Sequence, residues 1–252
     1  MTKQKSDIIY TYDGSFDGLL CCIFEMYEKK ENPFKIEKSG SVQTMLDCRI
    51  KDIETDLTKA SRVHDGIFSK IGEEALTQVY YATLSAEEDA ETAAKDFIRL
   101  GFKMGLQTIN MLTDQRVWHM KKIAHKVSLE RMRYIEFIRF REMEGHVLFS
   151  DFKPEPNILP LIMPHFSDRL NTLPFIIHDK GRKLAGVYDT KEWFIISSNE
   201  MTLPEISDDE RDYQKLWKLF YDSVAIKERL SERRRMQHIP KKYWKYVTEL
   251  SR

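Results

Sequence analysis

Two short segments carry the side chains best suited to chemistry. Pro164-His165-Phe166-Ser167-Asp168-Arg169 sets an imidazole, a carboxylate and a guanidinium close together along the chain. Ile176-Ile177-His178-Asp179-Lys180-Gly181-Arg182 repeats the three groups at the end of an apolar run. His165 and His178 titrate near neutral pH and suit proton transfer, with Asp168 or Asp179 to orient an imidazole. Arg169 and Arg182 can each grip a phosphate through two parallel N–H donors. The plainer alternative makes Asp179 a turn residue, His178 a strand end and Asp168–Arg169 a surface pair. A catalytic reading, with these six residues acting on a nucleotide or on DNA, therefore requires both segments to face one cavity.

The other candidate residues are cationic. Among 252 residues, 40 Lys and Arg balance 40 Asp and Glu, so the formal net charge is zero. That excludes a uniformly basic DNA-coating protein and an acidic disordered chain. The charge is nevertheless segregated. Arg116 through Arg141 holds eight basic residues against Glu130 and Glu136, and Arg211 through Tyr246 holds eleven against four acidic ones. Acidic blocks such as Glu87-Glu88-Asp89 and Asp208-Asp209-Glu210 compensate. In the densest stretch, Arg233, Arg234, Arg235, Lys241 and Lys242 are suited to neutralising phosphates, and Tyr243 and Trp244 to stacking on unpaired bases. Lys103, at the helix–turn–helix junction Leu100–Gly105, and Arg139 join this nucleic-acid-binding set. The competing reading is a solvated helix end with Tyr243 and Trp244 packed in the core.

Stock signatures are absent: there is no GxGxxG, Walker loop, HExxH or GxSxG. Cys21, Cys22 and Cys48 form neither a CxxC pair nor a Cys/His zinc spacing, so no metal and no cofactor is expected of this chain. They read as reduced thiols of a cytoplasmic protein. No apolar run has the length of a membrane span.

The elements that must position these residues follow from periodicity. Ile8–Tyr12 reads as a strand, and Ser15 caps a helix with Leu19, Leu20, Ile23 and Phe24 on its apolar side. Asp56 opens another helix with Ala60, Val63, Ile67 and Ile71 inward. Ser85 with Glu88 forms a capping-box pattern before Ala90–Ile98, and a helix is expected from Asp114 to about Leu129. From Tyr134 to Arg141 the period changes to two, predicting a strand, with His146–Phe152 as its partner. A short helix from Ile158 to about Leu170 precedes strands at Pro174–Asp179, Lys183–Tyr188 and Glu192–Ser197. Ser207 with Glu210 opens an amphipathic helix carrying Tyr213, Leu216, Trp217, Phe220 and Val224, and a terminal helix spans about Lys241–Leu250. The expected class is α+β: a helical N-terminal half, then an antiparallel ββαβββ sheet block covered by the long C-terminal amphipathic helix. It reads as one compact domain over 1–252, divisible into a mainly helical 1–131 and a 132–252 block of sheet and C-terminal helices.

Several stretches together resemble a bacterial family of DNA metabolism proteins whose domain has no assigned function. They are Tyr12-Asp13-Gly14-Ser15-Phe16-Asp17-Gly18, Glu54-Thr55-Asp56, Gly101-Phe102-Lys103-Met104-Gly105, Phe137-Ile138-Arg139-Phe140, Pro164-His165-Phe166, Ile177-His178-Asp179, Tyr213–Lys218 and Met236–Lys245. The resemblance implies kinship with a domain fused to uracil-DNA-glycosylase-like proteins and encoded beside a radical-SAM protein with a DNA-binding element. It supplies no catalytic residues, and radical chemistry would belong to the partner, since this chain lacks cluster ligands. The expected function is thus a DNA repair or modification accessory protein. It would bind nucleic acid through 116–141 and 227–245 and dock a radical-SAM or glycosylase-type partner. The rivals are the enzyme above and a protein–protein module without nucleic-acid binding.

Overall fold

The computed structural model describes residues 8–40, 48–199, 205–224 and 231–250. Lys227 and Arg229 of the second basic run lie outside the described residues. The chain divides into two compact units, 1–129 and 130–252.

In the first unit the apolar run Ile8–Tyr12 forms β1 and leads into α1 (Phe16–Glu28). Gly14 turns the chain at a φ of +84°, and the Ser15 hydroxyl accepts from the Gly18 amide at 2.9 Å, which caps the helix. β2 (Lys35–Lys38) and β3 (Arg49–Asp52) flank β1 in a parallel three-stranded sheet ordered β2-β1-β3. The N-terminal half is therefore not simply helical, as periodicity had implied. Both added strands are short and polar, so neither carries an alternation long enough to read.

Four further helices belong here in whole or part: α2 (Leu57–Lys70), α3 (Glu73–Leu84), α4 (Ala90–Met104) and the start of α5 (Gln115–Phe137). Leu19, Leu20 and Ile23 of α1 meet Ala60, Val63 and Ile67 of α2 and Phe97 and Ile98 of α4 in one core. Asp56 caps α2 through the amides of Thr58 and Lys59. Gly101 lets α4 lie against Ile71, because a Cβ there would sit 2.3 Å from the Ile71 Cδ1.

α5 runs to Phe137, eight residues past the expected end and through the start of the predicted strand. Its buried residues Val117, Met120, Ala124, Val127, Glu130, Tyr134 and Phe137 keep the 3.6-residue repeat throughout. The alternation read from Tyr134 onward was the tail of that helical stripe. Only Arg141–Met143 remains for the strand β4.

In the second unit β4, β5 (Val147–Phe152), β6 (Phe175–Asp179), β7 (Leu184–Tyr188) and β8 (Trp193–Ser197) form a five-stranded sheet in that order, with α6 (Leu159–Arg169) between β5 and β6. The sheet is not wholly antiparallel. β5 and β6 pair in parallel, Ser150 opposite Ile177 and Asp151 opposite His178, because α6 carries the chain back to the starting edge. α6 packs over β7 and β8: a Cβ on Gly186, the partner of Ile177, would lie 2.4 Å from the Met163 Sδ.

The amphipathic helix α7 (Asp208–Val224) does not cover this sheet as expected. Tyr213, Leu216 and Phe220 are 62%, 65% and 56% exposed. Phe194 and Ile196 of β8 are exposed as well. The C-terminal segment comprises α8 (Glu232–His238) and a 3-10 turn, Lys241–Tyr246, in place of the expected helix.

Candidate nucleic-acid interface

The structure does not assemble the predicted His/Asp/Arg site. Successive strand side chains alternate between faces. Ile177 and Gly186 lie under α6, so His178 points to the opposite face from the helix that carries His165. His178 Nε2 lies 2.9 Å from the Ser198 hydroxyl, while its Nδ1 is buried without a partner. Burial lowers its pKa below the ordinary 6.5 despite the nearby Asp179 charge. His165 packs edge-on against Phe166, with rings 5.1 Å apart, and its Nε2 is likewise buried and unpartnered.

Asp179 and Arg182 come together, but for the turn. The fully buried Asp179 carboxylate accepts from the amides of Gly181 (2.9 Å) and Arg182 (3.2 Å) and from the Arg182 guanidinium (3.1 Å). Arg182 also donates to the carbonyls of Pro154 and Glu155. Three of its five guanidinium donors thus tie the β6–β7 turn to the loop before α6. Asp168 and Arg169 are exposed at the end of α6.

Arg169 instead meets a residue of the nucleic-acid-binding set. A cleft of about 400 Å³ lies between the C-terminal ends of α5 and α6, with Glu136, Arg139, Phe140, Phe166 and Arg169 among its lining residues. Arg139 donates through Nη1 to the carbonyls of Glu136 (2.9 Å) and Ile138 (3.2 Å), capping α5.

The C-terminal set divides between inside and outside. Tyr243 is fully buried and donates to the Glu130 carboxylate at 2.5 Å, so it cannot stack on a base. Lys242 reaches both Glu130 oxygens, at 3.0 and 2.9 Å. Burial raises Tyr243 to about 12, helped by the Glu130 carboxylate. Lys242 is pulled down by burial and pushed up further by the hydrogen bonds to Glu130, ending above its ordinary value. Trp244 is half-buried, its indole N–H donated to the Ile239 carbonyl at 2.7 Å, between the cations of Arg235 (5.8 Å) and Lys241 (5.6 Å). Arg233 and Arg234 are exposed on α8. Lys103 is exposed in the last turn of α4, in the first unit.

Residues not singled out in the sequence gather at the carboxyl end of the parallel β5–β6 pair. Asp151 accepts from Arg141 at 2.9 Å and forms an ion pair with Lys180. Even so, Lys180 is held below its ordinary value, first by burial and then by the positive charges of Arg141 and Lys245. Two cations, from β4 and the end of β6, therefore share one carboxylate, with Lys245 of the C-terminal turn near enough for its charge to act on Lys180. Arg141 and Lys245 were visible only as members of the two basic runs. The meeting of Asp151 with Lys180 depends on the parallel register, for which the sequence holds no local signal.

A two-unit α+β protein with an arginine-lined cleft in its second unit is the class that fold and site define. The chain belongs to the family of DUF4130, a domain of unknown function, whose family model matches residues 88–249. No curated protein and no solved structure matches it. Among the described residues no group of His, Cys, Asp and Glu is arranged to hold a metal ion, and no helix is long and apolar enough to cross a membrane.

Proposed function

We propose that this protein is an accessory factor of DNA repair or modification, binding nucleic acid through residues 130–252 and acting with a radical-SAM or glycosylase-type partner. The observation that carries the nucleic-acid half is that Arg141 and Lys180 share the carboxylate of Asp151, with Lys245 near enough for its charge to act on Lys180. Cations that outnumber their local carboxylates attract a polyanion and release its counterions on binding. Arg233 on α8 adds exposed positive charge along the same C-terminal segment. Glu130 clamps that segment to the end of α5 through Lys242 and Tyr243, within the second unit.

The partner half is supported by α7, whose Tyr213, Leu216, Leu219 and Phe220 leave an apolar stripe bare. Stripes of this kind mark protein–protein contacts more often than solvated surface.

Fluorescence anisotropy with an unstructured single strand tests the nucleic-acid half. Affinity should fall as salt rises, with a log–log slope of about −0.7 per phosphate neutralised on a single strand. Lys180→Glu with Lys245→Glu should weaken binding and flatten that slope by about one to two. Binding that is absent, or insensitive to salt and to both substitutions, refutes the proposal.

A further inference from the structure

The cleft between the ends of α5 and α6 offers three chemistries within one small volume. Its roughly 400 Å³ suits a small ligand rather than a protein segment. One wall is aromatic: Phe140 is half-buried and packs edge-on against Phe166, with rings 5.2 Å apart. Glu136 contributes an exposed carboxylate that can accept from a base amino group. Arg139 and Arg169 contribute two guanidiniums.

The two arginines are not equivalent. Two helix C-termini border the cleft, and their free carbonyls carry partial negative charge that would repel an anion. Arg139 answers part of that charge by capping the carbonyls of Glu136 and Ile138. Arg169 makes no hydrogen bond or ion pair among the described residues, so its fork of donors is unspent, and the exposed side chain lines the cleft. A planar fork of this kind matches a phosphate bidentately.

We propose that this cleft binds a nucleoside monophosphate, its phosphate on Arg169, its base against Phe140 and the base amino group on Glu136. A divalent cation does not fit two guanidiniums and one carboxylate. A triphosphate would bring more negative charge than the cleft answers. The proposal rests on the nucleic-acid reading, because the same chemistry occurs in a free nucleotide and in the phosphorylated 5′ end of a DNA strand.

Isothermal titration calorimetry with deoxycytidine monophosphate, deoxycytidine and inorganic phosphate reads the free nucleotide. Anisotropy with one labelled strand, carrying either a 5′-phosphate or a 5′-hydroxyl, reads the strand end. The nucleotide or the phosphorylated end should bind at least about tenfold tighter than the form lacking base or phosphate, and Arg169→Ala should remove that preference. Glu136→Gln should narrow the preference for deoxycytidine over deoxythymidine monophosphate while leaving phosphate dependence intact. Whichever arm shows the Arg169-dependent gain identifies the source. If neither does, or if Arg169→Ala stays folded by circular dichroism and binds unchanged, the proposal is wrong. Salt-sensitive binding of the 5′-hydroxyl strand would still stand in that case, so the two readings fail separately.

Discussion

Tyr243→Phe removes one oxygen and tests how the C-terminal segment is held. The hydroxyl is buried and lies 2.5 Å from Glu130, itself only 7% exposed. The ring stays, keeping its contacts with Tyr134 at 5.1 Å and Phe137 at 5.3 Å, so no cavity of consequence forms. A hydrogen bond to a charged acceptor contributes about 1.5–3 kcal/mol. Glu130 retains Lys242 on both oxygens, so its charge is not stranded and a loss of about 2 kcal/mol is expected. In a chain of this size that lowers the melting temperature by about 4–8 °C. Urea unfolding should show a lower midpoint with an unchanged slope. A cycle with Lys242→Met should show coupling above about 0.5 kcal/mol, since both residues share one carboxylate. The substitution should also weaken DNA binding without removing any charge, because Lys245 lies two residues beyond that anchor. Tyr243→Phe within about 0.5 kcal/mol of the parent, or additivity in the cycle, would refute the clamp.

Three further outcomes follow from packing and titration. Gly101→Ala should destabilise the first unit although Ala is the better helix former by about 1 kcal/mol, because the new methyl meets the Ile71 Cδ1 at 2.3 Å. Ile71→Val, which deletes that carbon, should recover part of the loss in thermal melts. Gly186→Ala should cost about 1–3 kcal/mol, with its methyl 2.4 Å from the Met163 Sδ and 3.1 Å from the Leu159 Cδ1, and should be less harmful beside Met163→Ala than the two effects summed. Burial holds His178 below 6.5 in the folded chain, so the unfolded chain takes up that proton first as pH falls. Its contribution is full above pH 6.5 and is lost as pH drops from 6.5 toward its folded value. The stability difference between the parent and His178→Gln should narrow across that window, and a constant difference would show that His178 does not titrate there.

What could be read in advance tracks the range of the forces involved. Ser15, Asp56 and Ser207 cap the helices they were expected to cap, because a cap is settled within three residues. β6, β7 and β8 were legible from apolar runs and tight turns. α5 outruns its expected end because its buried stripe, Tyr134 and Phe137, also fits an alternation over a few residues. β2 and β3 form by pairing with β1 rather than by their own apolar content. The candidate sites were legible only as lists. Arg139 and Arg169 sit in different motifs, and nothing local announces that the ends of α5 and α6 border one cleft. Asp179 kept its plainer role because a carboxylate two residues before Gly181 is well placed to accept the turn's amides.

The parallel β5–β6 pair sets the two proposed sites on opposite faces of one sheet. The side chains of Asp151 and His178 face away from α6, and Arg141, which pairs with Phe149, lies on that same side. The cleft is lined by Phe166 and Arg169 of α6, so the sheet stands between it and the Arg141–Lys180 cluster. A mononucleotide filling the cleft leaves the cluster's charge unanswered, and a strand lying along the cluster leaves Arg169 unspent. Binding of the monophosphate should therefore depend weakly on salt and strongly on Arg169, whereas a long strand should show the reverse. Only a phosphorylated strand that passes around the β4 edge engages both, and its affinity should exceed that of either ligand through effective concentration rather than through any new contact.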